Sequence, residues 1–494
     1  MKLFSFINSF VVLVGMISCS CTEPDVVVKK SLTFTPDSLE FVIDGGVDTI
    51  YLTTDSREWH ISTTEEWINT NIDFGITKER EIVVTVQKNA VKESRTGYII
   101  VAAPDADTVR IKVNQITRTA AGTDYPDYSN PIAPDNTGMN STALQLAANM
   151  YMGWNLGNTL EVPGSETGWG NPKATQLLID SIKAAGFNAI RLPCSWNSYI
   201  ENLTTAKIKG SWLARVKEVV DYCYNNDMYV IINIHWDGGW LENNPTYAKQ
   251  DEVNAKQKAY WEQIAVYFRD YDEHLIFAGT NEVHANYGTP SVENNTVQQS
   301  FNQTFVDAVR STGGRNAYRN LVIQAYNTNI DHAVNFLKIA DDSADDRLFV
   351  EVHYYDPWDF CGDETSDIYL WGNPFKTLGK VSTSGQESQA LTQFNKIKTT
   401  FVTKGYPVIF GEYGAIRRSA LTGDALSHHL ASRAYYLGYV TEQAKNYGMI
   451  PFYWDNGHTG NNGFALFNRN SATTFDRQAL NAIQEGAAKG NYPF

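Results

Sequence analysis

From about residue 140 onward one unit recurs along the chain: a short apolar run, often ended by a polar residue and followed by a stretch of helical periodicity. The runs occupy residues 151–155, 188–193, 228–235, 275–280, 321–325, 348–353, 407–410 and 450–454, most of them roughly 40 residues apart. Leu178, Ile182 and Ala185 fall at i, i+4 and i+7 on one helix face, and Gly186 supplies a stop. Val216, Val220 and Cys223 repeat the stripe before the third run, as do Trp261, Ile264, Ala265 and Phe268 before the fourth. Short buried strands joined by helices make parallel sheets, and crossovers of one hand close eight such strands into a (β/α)8 TIM barrel over residues 139–494.

The region before this barrel follows another period. Residues 31–117 carry alternating runs at 32–34, 49–53, 82–87, 98–102 and 109–116, broken by turn residues and without a helical stripe. A length of roughly 90 residues suits a small immunoglobulin-like β-sandwich. Residues 118–138 hold Tyr125-Pro126-Asp127, Asn130-Pro131 and Ala133-Pro134-Asp135 and read as a turn-rich linker. At the front, residues 3–17 are mostly apolar after Lys2, too short for the roughly 20 residues of a membrane helix, and read as an export signal. Cys194, Cys223 and Cys361 have no framework spacing and read as small buried hydrophobes.

Charge narrows the partners. Lys+Arg number 40 against Asp+Glu 55, a formal charge of -15, which disfavours nucleic acid. Aromatics at 13% exceed what a core requires, and flat sugar faces are one class of ligand that rings suit.

A barrel of this kind carries its site at the C-terminal ends of its strands, so the polar residues there are the candidates: Arg191, His235, Asn281 with Glu282, His353 with Tyr355, Glu412 and Trp454. Glu282 and Glu412 each close an apolar run, and a buried carboxylate costs several kcal/mol unless paired. A structural role would put each in an ion pair, and Arg191 can serve only one of them. Two rim glutamates from separate strands suit glycosidic bond hydrolysis, in which one protonates the leaving oxygen and the other attacks the anomeric carbon.

Residues 140–490 resemble glycoside hydrolase family 5. The resemblance rests on Gly153-Trp154-Asn155-Leu156-Gly157-Asn158-Thr159, Glu166-Thr-Gly-Trp-Gly-Asn-Pro172, Arg191-Leu-Pro193, Ile234-His235-Trp236, Asn281-Glu282, His353-Tyr-Tyr355, Gly411-Glu412-Tyr413-Gly414 and Trp454-Asp455-Asn456-Gly457, in that order. The first two strings resemble subfamily 4, whose members are similar to endo-β-1,4-glucanases acting on xyloglucan, mixed-linkage glucan or cellulose. The resemblance implies Glu282 as proton donor and Glu412 as nucleophile. It implies Asn281 on the sugar 2-hydroxyl, Arg191 and Tyr355 holding Glu412, His235 and His353 completing the hydrogen bonds, Trp454 as the sugar floor, and Asn158 among the supporting residues. A neighbouring cation favours an ionised Glu412, and a less compensated Glu282 is expected to keep its proton near neutral pH. Val283-His284 stands where the family commonly has Pro after Asn-Glu, a change that bears on subsite shape.

Met16-Ile17-Ser18-Cys19 resembles a bacterial lipobox, which implies a signal peptide over residues 1–18, acylation of Cys19 and a tether over residues 19–30. The acidic stretch Thr22-Glu23-Pro24-Asp25 resembles signals that send lipoproteins to the outer face of the outer membrane. Glu58-Trp59-His60-Ile61, Glu66-Trp67-Ile68 and Arg95-Thr96-Gly97-Tyr98-Ile99 resemble BACON-type modules. That name implies carbohydrate binding, yet Trp59 and Trp67 lie in strand-like segments, where packing is the commoner fate, and a spacer role is expected.

The sequence thus leads to a retaining endo-β-1,4-glucanase favouring xyloglucan, with mixed-linkage glucan, cellulose or glucomannan as rival substrates and a non-catalytic glycan-binding lipoprotein as the rival class. Trp154, Trp169, Trp236, Trp240, Trp358 and Trp371 are candidates to stack on sugar, and Trp261 is expected to pack. No metal motif occurs, the acidic run from Asp341 to Asp346 reads as a solvated loop, and neither metal nor cofactor is expected. A monomer is the default.

Overall fold

A computed structural model describes residues 29–42, 45–76, 78–89, 94–116 and 125–494. The expected signal peptide, Cys19 and the tether up to residue 28 lie outside the described residues. The chain divides into two compact units at Thr117/Arg118.

The first unit is all-β. One sheet orders Leu32–Thr35, Gly46–Thr54, Glu79–Val86 and Ile68–Thr70; the other orders Ser38–Val42, Val109–Ile116, Arg95–Ala102, Trp59–Thr63 and Phe74–Gly75. Alternate residues such as Ile50 and Leu52, Ile82 and Val84, and Ile111 and Val113 meet in one core with Trp59, which is fully buried. Trp67 is half-buried, with the Arg95 guanidinium 4.3 Å from its ring. Both tryptophans pack, Trp59 from within a strand and Trp67 from the turn just before Ile68–Thr70.

The second unit is a closed barrel of eight consecutive parallel strands: β1 (Gly153–Leu156), β2 (Ala189–Leu192), β3 (Tyr229–Asn233), β4 (Leu275–Ala278), β5 (Leu321–Gln324), β6 (Leu348–Tyr354), β7 (Val408–Tyr413) and β8 (Met449–Asp455). Each falls on an expected apolar run. The helix Gln176–Ala184 buries Leu178 and Ile182, and Gly186 follows it at φ +92°, a conformation that favours glycine. Cys194, Cys223 and Cys361 are buried in the layer between strands and helices.

Residues 125–138, expected as a linker, are tied to this unit. Tyr128 N–H donates to Glu262 and its hydroxyl to Thr205 O, Arg269 donates to Asn130 O, and Ile132 N–H donates to Thr312 O. A turn-rich composition gives no apolar period, but these hydrogen bonds fix the segment all the same.

Side chains at every second strand position face the lumen. Its lower layer is apolar: Ala189, Ile231, Ile276, Val322, Phe349, Ile409, Ile450 and Phe452. Helix Ala143–Asn149, capped by Thr142 and Gln145, closes this end with Ala143, Leu146 and Ala147. Two residues higher on the same strands stand Asn155, Arg191, Asn233, Gln324 and Glu351. In β7 the period is broken: His353 pairs with Glu412 where Val352 pairs with Phe410, so Gly411 is an extra residue in a β-bulge. The bulge keeps Phe410 and Tyr413 in the outer core and turns Glu412 toward the lumen.

Candidate active site

Arg191 is the hub of the upper lumen and is wholly buried. Its Nη1 donates to Glu412 Oε1 at 2.8 Å and to Asn155 Oδ1 at 3.1 Å, and its Nη2 donates to Asn281 Oδ1 at 2.8 Å. Its Nε lies 2.9 Å from Glu351 Oε1. Glu351, two residues before His353 on β6, is equally buried and accepts from Gln324 at 2.6 Å. The sequence reading missed Glu351, Asn233 and Gln324. All are polar residues inside or ending apolar runs, and their lumen-facing parity was the signal that could have found them.

His353 bridges three carboxylates. Nδ1 is 2.7 Å from Glu282 Oε1 and 3.8 Å from Glu412 Oε2, and Nε2 is 3.2 Å from Glu351 Oε1. Burial works against an imidazolium, yet Glu412, Glu282 and Glu351 outweigh it and hold His353 at about 10. Burial raises Glu412 against the pull of His353 and Arg191, and repulsion from Glu282 leaves it above its ordinary value. Burial acts upward on Glu282 too, but His353, Arg191 and His284 bring it below. The two carboxyls and the imidazole therefore titrate as one unit. This differs from the expectation that Glu282 keeps its own proton: in the open site the shared proton sits on His353, because three carboxylates surround that ring.

The two glutamates differ in access. Tyr355 donates to Glu412 Oε2 at 3.0 Å, and the Glu412 side chain is 7% exposed against 30% for Glu282. An oxygen of each lies within 4.8 Å of the other. Both line a cleft of about 700 Å³ with His353, Tyr355, Trp358, Trp454 and Tyr287. Trp454 lies parallel to His235, ring centres 5.9 Å apart, and burial with Arg191 and His353 keeps His235 well below its ordinary range and neutral.

Asn158 does not line the cleft. It sits at φ +56°, its N–H bonded to the Glu161 carboxylate and its carbonyl accepting from Asn171 at 2.9 Å, so it shapes the loop after β1. Of the six tryptophan candidates, Trp154 and Trp371 are fully buried. Trp154 is on β1 next to lumen-facing Asn155 and so points into the outer core, and Trp371 packs on Tyr435, Tyr436 and Tyr439. Trp240 is half-buried and bonded to Asp237 at 2.8 Å. Trp169 and Trp236 are exposed with ring centres 6.4 Å apart, Trp358 is exposed on the cleft, and Trp261 is buried as expected.

Glu282, His353 and Glu412 also form a group of metal-type ligands. Both His353 nitrogens face carboxylates, Nδ1 toward Glu282 and Nε2 toward Glu351, an arrangement that favours the imidazolium over a lone pair free for an ion.

A (β/α)8 barrel with a lumen arginine, a bulge-mounted glutamate and a second glutamate across the cleft defines a barrel glycosidase. The sequence profile of Cellulase (glycosyl hydrolase family 5) matches residues 155–460, and the chain belongs to glycosyl hydrolase family 5. It is similar to the xyloglucan-specific endo-β-1,4-glucanase of Bacteroides ovatus, 41% identical over 91% of this chain and 90% of that protein. A solved structure of a Bacteroides ovatus family 5 xyloglucanase with a XXXG heptasaccharide aligns at a TM-score of 0.70 and 39% identity, covering 93% of this chain and 100% of that one. A subfamily 4 broad-specificity endoglucanase of Ruminococcus champanellensis with bound cellotriose aligns at 0.62 and 34% identity, covering 70% and 98%.

Proposed function

We propose that this chain is a subfamily 4 endo-β-1,4-glucanase that cleaves xyloglucan internally with retention of configuration. The observation that carries the chemistry is the 4.8 Å bound on the ligand oxygens of Glu282 and Glu412. Retaining glycosidases hold their carboxyl groups about 5 to 5.5 Å apart, and inverting ones leave about 6.5 to 9.5 Å for a water. Glu412, held by Arg191 and Tyr355, attacks the anomeric carbon and forms a glycosyl ester while the bond to the leaving oxygen breaks. Glu282, the more exposed of the two, gives that oxygen its proton. Sugar binding removes water from the Glu282–His353 pair, which weakens an imidazolium–carboxylate pair and moves the shared proton to Glu282. Glu282 then takes a proton from water as that water's oxygen attacks the anomeric carbon on the face the leaving group vacated; the bond from that carbon to Glu412 breaks and the carboxylate is restored. Asn281 meets the 2-hydroxyl and Trp454 lies under the ring.

The substrate is supported by the Bacteroides ovatus xyloglucanase matches, one in sequence and one in solved structure. A second reading, unbranched β-glucan, is favoured by the broad-specificity relative. Initial rates of sugar release from xyloglucan, mixed-linkage glucan, cellulose and glucomannan decide between them. Xyloglucan is expected to be fastest, and equal or higher rates on an unbranched polymer overturn that choice.

The same reading places the enzyme on the outer membrane, acylated at Cys19 and facing outward, with residues 31–117 as a spacer. The apolar run at residues 3–17 and the Cys19 context support this. No helix among the described residues is long and apolar enough to cross a membrane. Labelled palmitate is expected to enter the wild type and not Cys19→Ala; equal labelling refutes the anchor.

A further inference from the structure

Glu242 lies in the loop after β3, away from any strand end, and is only 5% exposed. Its Oε2 accepts from the Asn281 amide at 3.0 Å and from the Glu282 backbone N–H at 3.2 Å, and its carbonyl accepts from the His284 N–H at 2.8 Å. Glu242 thus straddles the segment that carries Glu282. It also removes the ambiguity of Asn281. Arg191 donates to Oδ1 on one side and Glu242 accepts from Nδ2 on the other, so a flipped amide would set like against like. One amide N–H is left for a sugar hydroxyl.

The charged groups that act on Glu242 are Glu282 and Glu412, both of its own sign, and burial with the Glu282 charge pushes it to about 7. Such repulsion is mutual. Against Glu282, His353, Arg191 and His284 all favour ionisation. Glu242 and Glu412 oppose them, and Glu412 is lost as a charge once it is esterified.

We infer that Glu242 is a positioning residue that aims Asn281 and, by its negative charge, keeps the proton affinity of Glu282 high enough for acid catalysis. This rests on the reading of Glu282 as proton donor. Removing the charge lowers the proton affinity of the Glu282–His353 pair that holds the shared proton, so the alkaline limb of kcat/KM, where that pair loses it, retreats to lower pH.

Glu242→Gln keeps an acceptor and deletes the charge. It is expected to retain kcat near the wild-type level on the acid side, with the alkaline limb shifted down by about one unit. Glu242→Leu deletes the acceptor as well. Its kcat is expected to fall roughly 10- to 100-fold with KM little changed, and acidification does not rescue it. A Glu242→Gln profile superimposed on the wild type, or a wild-type kcat in Glu242→Leu, overturns the inference. If either variant fails to fold, carboxyl NMR of 13C-glutamate-labelled wild type replaces it: Glu282 must show a second inflection where Glu242 titrates, and a single inflection overturns the inference. Absence of β-glucan hydrolysis by the wild type would instead refute the proposed function. Hydrolysis lost in Glu282→Gln beside an unshifted Glu242→Gln profile removes only the role of Glu242.

Discussion

The lower and upper halves of the barrel lumen are built from the same eight strands with the same period, yet their chemistry is opposite. Below, Ile231, Ile276, Phe349, Ile409 and Phe452 fill the space between the strands and the closing helix. Above, Arg191 and the His353 imidazolium face Glu351, Glu412 and Glu282, with Asn155, Asn233 and Gln324 filling the remaining hydrogen bonds. A layer that places three carboxylates against two cations opposes its own folding, and losing one carboxylate relieves repulsion as well as removing a pair. The apolar layer has no partners to lose. One half holds the barrel closed so that the other can hold charges at fixed distances.

Substitutions that sort activity from stability test this division. The largest effect belongs to Glu412→Gln, which keeps the shape and deletes the attacking oxygen: turnover is expected to fall on the order of 10⁴-fold, with the unfolding midpoint in urea little changed. A large loss of stability with residual turnover intact would invert the roles given to the two layers. Next, Phe452→Ala hollows the lower layer and is expected to lower unfolding free energy by about 3–5 kcal/mol while the folded enzyme keeps its kcat. A kcat that falls in proportion would mean that the layers are not separable. The smallest effect is a pH dependence. His353 is raised to about 10, so its contribution to stability is complete below the ordinary histidine value of about 6.5 and is lost as pH rises through about 10. The stability difference between wild type and His353→Asn is therefore expected to narrow by about 2 kcal/mol from pH 7 to pH 9 in denaturant titrations, allowing for coupling among the carboxylates. A constant difference would place the proton elsewhere.

Much of this was legible in the sequence because burial on both faces makes strands apolar and a polar residue then stands out. Arg191, Asn281, Glu282, His353 and Glu412 were found in that way, and the structure brings them together. Trp154 was misjudged because its place next to Asn155 was read by sequence position and not by parity: adjacent strand residues face opposite sides. Glu242 escaped because nothing in a loop sequence announces burial. The β7 bulge escaped for a subtler reason. Strict alternation from Ile409 points Gly411 at the lumen and Glu412 away from it, and only the pairing with His353 reveals the added residue. The linker at 125–138 escaped because its hydrogen bonds reach residues far off in sequence.

The bulge glycine has a consequence for how such a barrel can vary. A Cβ on Gly411 would stand 2.0 Å from Glu351 Oε1 and 2.9 Å from its Cγ, and Glu351 is held in place by Arg191, His353 and Gln324. Neither position can drift alone: a larger residue at 411 meets the carboxylate, and a neutral one at 351 strands a buried guanidinium. Mutational searches that sample one codon at a time will find both sites frozen, whereas libraries that randomise 351 and 411 jointly have a path to new settings of the nucleophile.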